Sequence, residues 1–168
     1  IMSSDWSSDV CSSDLVAKGG NLNLIVNPDG SGKIPDIQKN LLKELGDWLS
    51  VNGEAIYNTR PYETLCDNTQ LGQPVWYTMS KDSSYGYAII FDWPKSETFI
   101  CTNVNIIWES DVYLLGYDEP LEWVDTGREL WALSAKIPEV MLRDPARRPC
   151  KYAWVLKFRY DKENKFGT

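Results

Sequence analysis

Not one of the 168 residues is a histidine, and that removes much of the catalytic repertoire. A Ser/His/Asp triad, a Cys/His dyad and a histidine-ligated metal cannot be assembled within this chain. Carboxylates remain, and they work in pairs as acid and base or nucleophile. Glu44 and Glu54 are the only two near the N-terminal strand and helix that imitate such a pair. Glu44 falls on the polar side of a helix and Glu54 follows the glycine that ends it, so solvated or capping roles suit them better. Asp29-Gly30-Ser31-Gly32 has the outline of a cation or phosphate loop. It lacks the oxygen count of a calcium loop and the Lys-Ser/Thr of a P-loop, and reads as a turn. Cys66, Cys101 and Cys150 show no C-x-x-C spacing and give neither a disulfide framework nor a zinc ribbon. They read as small, partly buried thiols. No catalytic residue, metal site or cofactor is therefore expected in this chain.

Tryptophan is the other chemically suggestive residue, with 8 in the chain. Flat rings stack on sugar faces, so Trp76, Trp93, Trp108, Trp123, Trp131 and Trp154 are candidates for a carbohydrate platform. Several alternate with polar residues in strand-like runs and so point into a core. Trp93, beside Pro94 at a strand end, and Trp108 fit that core reading least well.

The net charge of −7 and pI near 4.6 argue against nucleic acid as a partner, which calls for a basic stripe. No apolar run reaches the roughly 18 residues of a membrane-spanning helix, so no membrane partner is expected. An apolar fraction of 43% with 9 Tyr and 4 Phe beside the tryptophans marks a folded, β-rich chain.

Residues 1–15, IMSSDWSSDVCSSDL, stand apart. Ser-Ser-Asp recurs at Ser3–Asp5, Ser7–Asp9 and Ser12–Asp14, and nothing later resembles it. A secretory signal would have a basic start and an apolar stretch of about 7–15 residues, and neither is present. A phospho-acceptor tail or weak Ser/Asp cation site is the functional reading. The segment looks more like a translated sequencing adapter, a non-native tail to be set aside with Cys11.

From Val16 onward the elements follow. Asn21–Val26 alternates between turn signals and predicts a strand. Pro35 and Asp36 open a helix with Ile37, Leu41, Leu42, Leu45, Trp48 and Leu49 at helical spacing, ending before Asn52-Gly53. Thr64–Pro74 is polar and predicts a loop. Short alternating runs then predict strands at Val75–Ser80, Tyr85–Phe91, Glu97–Cys101, Val112–Leu115, Leu121–Val124, Glu129–Ser134 and Trp154–Tyr160. In the last, Trp154, Leu156, Phe158 and Tyr160 face one way. Pro138–Pro149 predicts a longer loop carrying Arg143, Arg147 and Arg148.

Two stretches are specific in their order: Lys18-Gly-Gly-Asn-Leu-Asn-Leu-Ile-Val-Asn-Pro-Asp-Gly-Ser-Gly-Lys-Ile-Pro35, and Leu45-Gly-Asp-Trp-Leu-Ser-Val-Asn-Gly-Glu-Ala-Ile-Tyr-Asn-Thr-Arg-Pro61. Together they resemble the C-terminal end of α-L-fucosidases of glycoside hydrolase family 29, as do Tyr87–Pro94, Leu114–Gly116 and Tyr152–Lys157. The resemblance implies a mostly β chain: a C-terminal antiparallel β-sandwich preceded by the last strand-helix unit of a (β/α)8-type catalytic barrel. It divides the sequence into a tail at 1–15, a barrel remnant at 16–62, a linker at 63–74, the sandwich at 75–162 and a polar tail at 163–168.

The same resemblance implies a retaining exo-glycosidase that removes terminal α-L-fucose from oligosaccharides or glycoconjugates. Two carboxyl groups about 5–5.5 Å apart would act as nucleophile and acid. In that family both lie on earlier barrel strands, so this chain is expected to be inactive by itself. Its expected partners are its own catalytic barrel and, through that barrel, a fucosylated glycan. The strand's turn lies on the face where barrel sites open, which makes Leu22, Asn23 and Asn27 candidate edges of the sugar pocket. The commoner family pattern after Gly-Gly-Asn differs here, with Ile25-Val26-Asn27-Pro28 where Asn-Ile-Gly-Pro would stand. Family members are secreted, periplasmic or lysosomal.

The alternative is a non-catalytic carbohydrate-binding or interaction module in which the sandwich acts alone. The strand-helix piece separates the two. Its apolar stripe suits a barrel, and a self-sufficient module has no reason to carry it. Exposure of Leu41, Leu45, Trp48 and Leu49 is the expected signature of the missing partner.

Overall fold

Period-two alternation dominates the chain beyond residue 58, and in the computed structural model it becomes two antiparallel sheets. The structure describes residues 14–68, 74–126 and 132–163. Nine strands are named among them: β1 (Thr59–Asn68), β2 (Pro74–Ser80), β3 (Tyr85–Ile90), β4 (Thr98–Cys101), β5 (Val112–Leu114), β6 (Pro120–Leu121), β7 (Trp123–Asp125), β8 (Leu133–Lys136) and β9 (Trp154–Arg159). One sheet runs β1-β2-β3-β9-β5-β6 and the other β4-β8-β7. Every named pairing is antiparallel.

Between the sheets lies the main core. Tyr77, Met79, Ala88, Ile90, Leu156 and Phe158 from the larger sheet meet Phe99, Cys101, Leu133 and Ala135 from the smaller. Interdigitation of the two inner faces is what closes a sandwich. Gly86 stands opposite Phe158 in the β3–β9 ladder, and a Cβ there would come within 2.4 Å of the ring. The glycine makes room for the aromatic.

β3 and β9 are buried on both faces, which a solvated outer face would not produce. The cover is a helix, α1 (Asp36–Asn52), whose C-terminal half lies on the larger sheet. Trp48 packs with Tyr87, Ile89, Ala153 and Val155 in a second core. Its indole N–H donates to the Ala153 carbonyl at 2.9 Å, and the Thr78 hydroxyl donates to the Ala55 carbonyl just past the helix at 2.7 Å. A short helix, α2 (Glu139–Arg143), and a 3-10 turn at Pro145–Arg147 occupy the expected loop before β9.

Three local expectations differ from what is observed. Asn21–Val26 is extended without a ladder, and Ile25 is 80% exposed. A strand needs a neighbour to satisfy its backbone, and none of the described residues supplies one. The predicted loop at Thr64–Pro74 instead begins as the second half of β1, which also crosses the expected boundary at 62/63 and overlies the start of the expected 63–74 linker. β1 is an edge strand with a register shift between Pro61 and Cys66. An edge tolerates proline and polar residues, which is why it reads like a loop; residues 69–73 lie outside the described residues. The apolar stripe of α1 is divided. Leu45 and Trp48 are 8% and 2% exposed, buried within this chain, while Ile37 and Leu41 are 72% and 53% exposed.

Residues 14–17 form a helical turn, with Lys18 Nζ paired to Asp14 at 2.6 Å and the Gly20 N–H donating to the Leu15 carbonyl. The remainder of the expected N-terminal tail, Trp131, and residues 164–168 lie outside the described residues.

Candidate functional site

A concavity forms where the N-terminal segment meets α1. Lys18 lies over the Trp76 ring at 4.8 Å, holding residues 16–24 beside the helix and the start of β1. A cleft of about 510 Å3 opens there, lined by Leu22, Leu24, Leu45, Leu49, Ile56 and Tyr57 among others. Apolar side chains predominate in its walls, with Asn21, Asn58, Thr59 and Arg60 as the polar elements. Leu24 and Tyr57, which line the cleft, are 43% and 62% exposed, and Leu45 and Leu49 of the α1 stripe form part of its wall. Isolated apolar side chains at a surface are ordinary; here several line one cleft.

Of the candidate pocket-edge residues, Leu22 is half-buried and lines the cleft. Asn23 is exposed. Asn27 is exposed too, and its N–H donates to Gln38 Oε1 at 3.1 Å, which anchors the loop to the first turn of α1. Neither of these two asparagines is among the residues that line the cleft.

Asp29 closes a turn. Its Oδ1 accepts from the Ser31 hydroxyl at 2.6 Å and from the Ser31 and Lys33 N–H groups at 2.8 and 3.0 Å. The Ser31 hydroxyl, with the Lys33 and Ser31 amides behind it, holds the carboxyl below its ordinary value, and all of its visible partners belong to the turn itself. Glu54 pairs with Lys157 Nζ at 2.9 Å, and Glu44 accepts from the Tyr152 hydroxyl at 3.1 Å. These two glutamates fasten α1 and its 3-10 extension to the sheet and do not face one another as an acid-base pair. The Cys150 thiol donates to the Ala153 carbonyl at 3.0 Å, and Cys101 is buried in the main core. Among the described residues no cluster of three metal-ligating side chains occurs.

The tryptophans separate, with Trp93 packed against the core that its strand-end position beside Pro94 suited least well. Trp154 is 7% exposed in the core. Trp93 packs edge-on against Phe99 and Trp154 and carries the Arg148 guanidinium over its other face at 4.2 Å. Sequence pattern missed that cation–π contact, because 55 positions of chain separate a loop arginine from its ring. Trp108 alone among these is largely exposed, at 65%.

Two family models match successive parts of the chain. Residues 13–54 match the one described as alpha-L-fucosidase, and residues 67–159 match the alpha-L-fucosidase C-terminal domain. The first covers α1 and the second covers the sandwich from the end of β1 to the end of β9. The plasma alpha-L-fucosidase of Pongo abelii is 33% identical over 144 residues, which is 85% of this chain and 30% of that protein. The alpha-L-fucosidase of Branchiostoma floridae is 34% identical over 146 residues, or 87% and 30%. This chain thus spans about 30% of the length of these relatives. The crystal structure of the Thermotoga maritima alpha-fucosidase in complex with fucose superposes with a TM-score of 0.72 at 30% identity, over 91% of this chain and 34% of that one. A sandwich with a helix from the neighbouring part pinned on its outer face, matched in sequence over both pieces, places this chain in the α-L-fucosidase family.

Proposed function

We propose that this chain is the stabilising C-terminal portion of a retaining exo-glycosidase that removes terminal α-L-fucose from oligosaccharides or glycoconjugates. The catalytic nucleophile and acid belong to the barrel that precedes it, so the chain alone has no activity. That barrel covers the cleft and the exposed side chains of Leu24, Ile25, Ile37 and Leu41, with Leu22, Asn23 and Asn27 toward the rim of its sugar pocket.

The observation carrying this reading is the division of the α1 stripe. One half is consumed by the sandwich through Trp48, and the other half is left apolar and exposed beside an apolar cleft. A single apolar stripe of which this chain covers only the C-terminal end suits a helix that reaches from one body onto another. Membership of the fucosidase family supports reading the second body as the catalytic barrel.

The test is hydrolysis of an aryl α-L-fucoside by this chain alone and by the full reading frame recovered from its source DNA. The chain is expected to be inactive. The full protein is expected to be active, releasing fucose with its anomeric configuration retained. Activity of the chain alone, or inactivity of the full protein toward fucosides, would overturn the proposal.

A further inference from the structure

Among the described tryptophans, Trp108 is the one that the fold displays rather than buries. It sits in the connection between β4 and β5, which is fastened at several points. Ile106 bridges Tyr160, and the Ile107 N–H donates to the Arg159 carbonyl at 3.0 Å. The Ile107 carbonyl in turn accepts from both the N–H and the hydroxyl of Ser110, at 3.1 and 2.7 Å. This closes a tight turn around Trp108 and Glu109.

Glu109 has φ of 60°. Most other non-glycine residues of this chain in that region are Asn or Ser, which tolerate it; a glutamate does not do so readily. Strained backbone persists only where its surroundings over-determine it. Behind the exposed ring stands Trp123, edge-on, with centroids 5.9 Å apart and planes at 74°. The Trp123 indole N–H is fixed to the Ser110 carbonyl at 2.8 Å. Trp108 is therefore held, presented and 65% exposed.

The surroundings select the occupant. Glu109 and Asp111 are exposed on either side of the turn, and Asp111 is steadied by the Tyr113 hydroxyl at 3.2 Å. Carboxylates repel nucleic acid and anionic lipid, and they accept hydrogen bonds from hydroxyl groups. A protein interface needs about 800 Å2 on each side; here the exposed apolar neighbours are Ile107, at 36%, and Val124, at 62%. One flat ring with an acceptor rim matches one sugar ring, which has a C–H face and a belt of hydroxyls.

We propose that Trp108, backed by Trp123 and rimmed by Glu109 and Asp111, is a stacking platform for one pyranose of a neutral glycan. The choice of a glycan rests on the reading that this protein acts on glycans; the platform geometry does not.

The experiment is a titration of the full chain, nitrogen-15 labelled, with the neutral trisaccharide 2′-fucosyllactose and in parallel with tetramethylammonium. The Trp108 indole resonance is assigned by its loss in Trp108→Phe. The expected result is a saturable shift of that resonance with the sugar, weakened at least about tenfold in Trp108→Ala and largely kept in Trp108→Phe. An unmoved Trp108 resonance, binding unchanged in Trp108→Ala, or a response to the cation in place of the sugar would overturn the platform. The shift is read on the labelled wild-type chain, so a poorly folded variant does not leave the question open. Because binding is read without hydrolysis, failure here and failure of the fucosidase assay are separate outcomes.

Discussion

The indole N–H of Trp48 donates to the carbonyl of Ala153 at 2.9 Å, across 105 positions of chain. One residue belongs to the helix matched by the alpha-L-fucosidase model and the other to the sandwich matched by the C-terminal-domain model. That bond, with the ring packed among Tyr87, Ile89 and Val155, makes the helix part of the sandwich's own stability.

Trp48→Ala should therefore cost about 3–5 kcal/mol in a urea unfolding series, the range for deleting a buried large aromatic. Trp48→Phe should recover most of this, less about 1 kcal/mol for the lost hydrogen bond. A loss under about 1 kcal/mol for the alanine variant would mean the helix is merely resting on the sheet.

Gly86→Ala should destabilise by about 1–3 kcal/mol through overpacking, since the new methyl meets a fully buried Phe158 ring at 2.4 Å. Phe158→Leu in the same background should recover part of the loss, giving a favourable coupling in a double-mutant cycle. Strict additivity of the two changes would count against the contact.

Asp82 provides a pH signature. Hydrogen bonds from the Ser80 and Ser84 hydroxyls, then from the Ser84 amide, draw its carboxyl from 3.8 down to about 2. A depressed carboxylate stabilises the fold above its unfolded value and loses that contribution as pH falls through its folded value. Asp82→Asn should thus be less stable than wild type at pH 6, with the difference shrinking between pH 3.8 and about pH 2. Urea midpoints of both proteins across that range check it, and a difference that grows on acidification would have the wrong sign.

Leu41 lies on the same face of α1 as Trp48, two turns nearer the N-terminus, and is 53% exposed. Leu41→Glu should leave the stability of this chain within about 0.5 kcal/mol while lowering hydrophobic-dye binding and self-association. In the full-length protein the same change should weaken the fold or the activity, because the proposed barrel would cover the position. Equal tolerance in both settings would remove the case for a covering barrel.

Much of this protein is determined by its sequence alone. Period-two alternation sets which faces of β2, β3 and β9 turn inward, because successive side chains of a strand must point to opposite sides. Trp154, Leu156 and Phe158 accordingly reach the core. The ordered stretch from Leu45 to Pro61 carries the family, since it preserves particular residues and not merely a pattern. The absence of histidine excludes whole classes of chemistry without any coordinates.

Tertiary structure decided the rest, and the reason in each case is a partner distant in sequence. Asn21–Val26 alternates like a strand yet forms no ladder, because pairing requires a neighbouring strand. Residues 64–68 read as a loop yet pair with β2, because an edge strand is free to be polar. The stripe of α1 is continuous in sequence, and only packing shows that Trp48 and Leu45 are buried by this chain while Ile37 and Leu41 are not. Periodicity states that a face is apolar; which body covers it is set by contacts that local sequence does not contain.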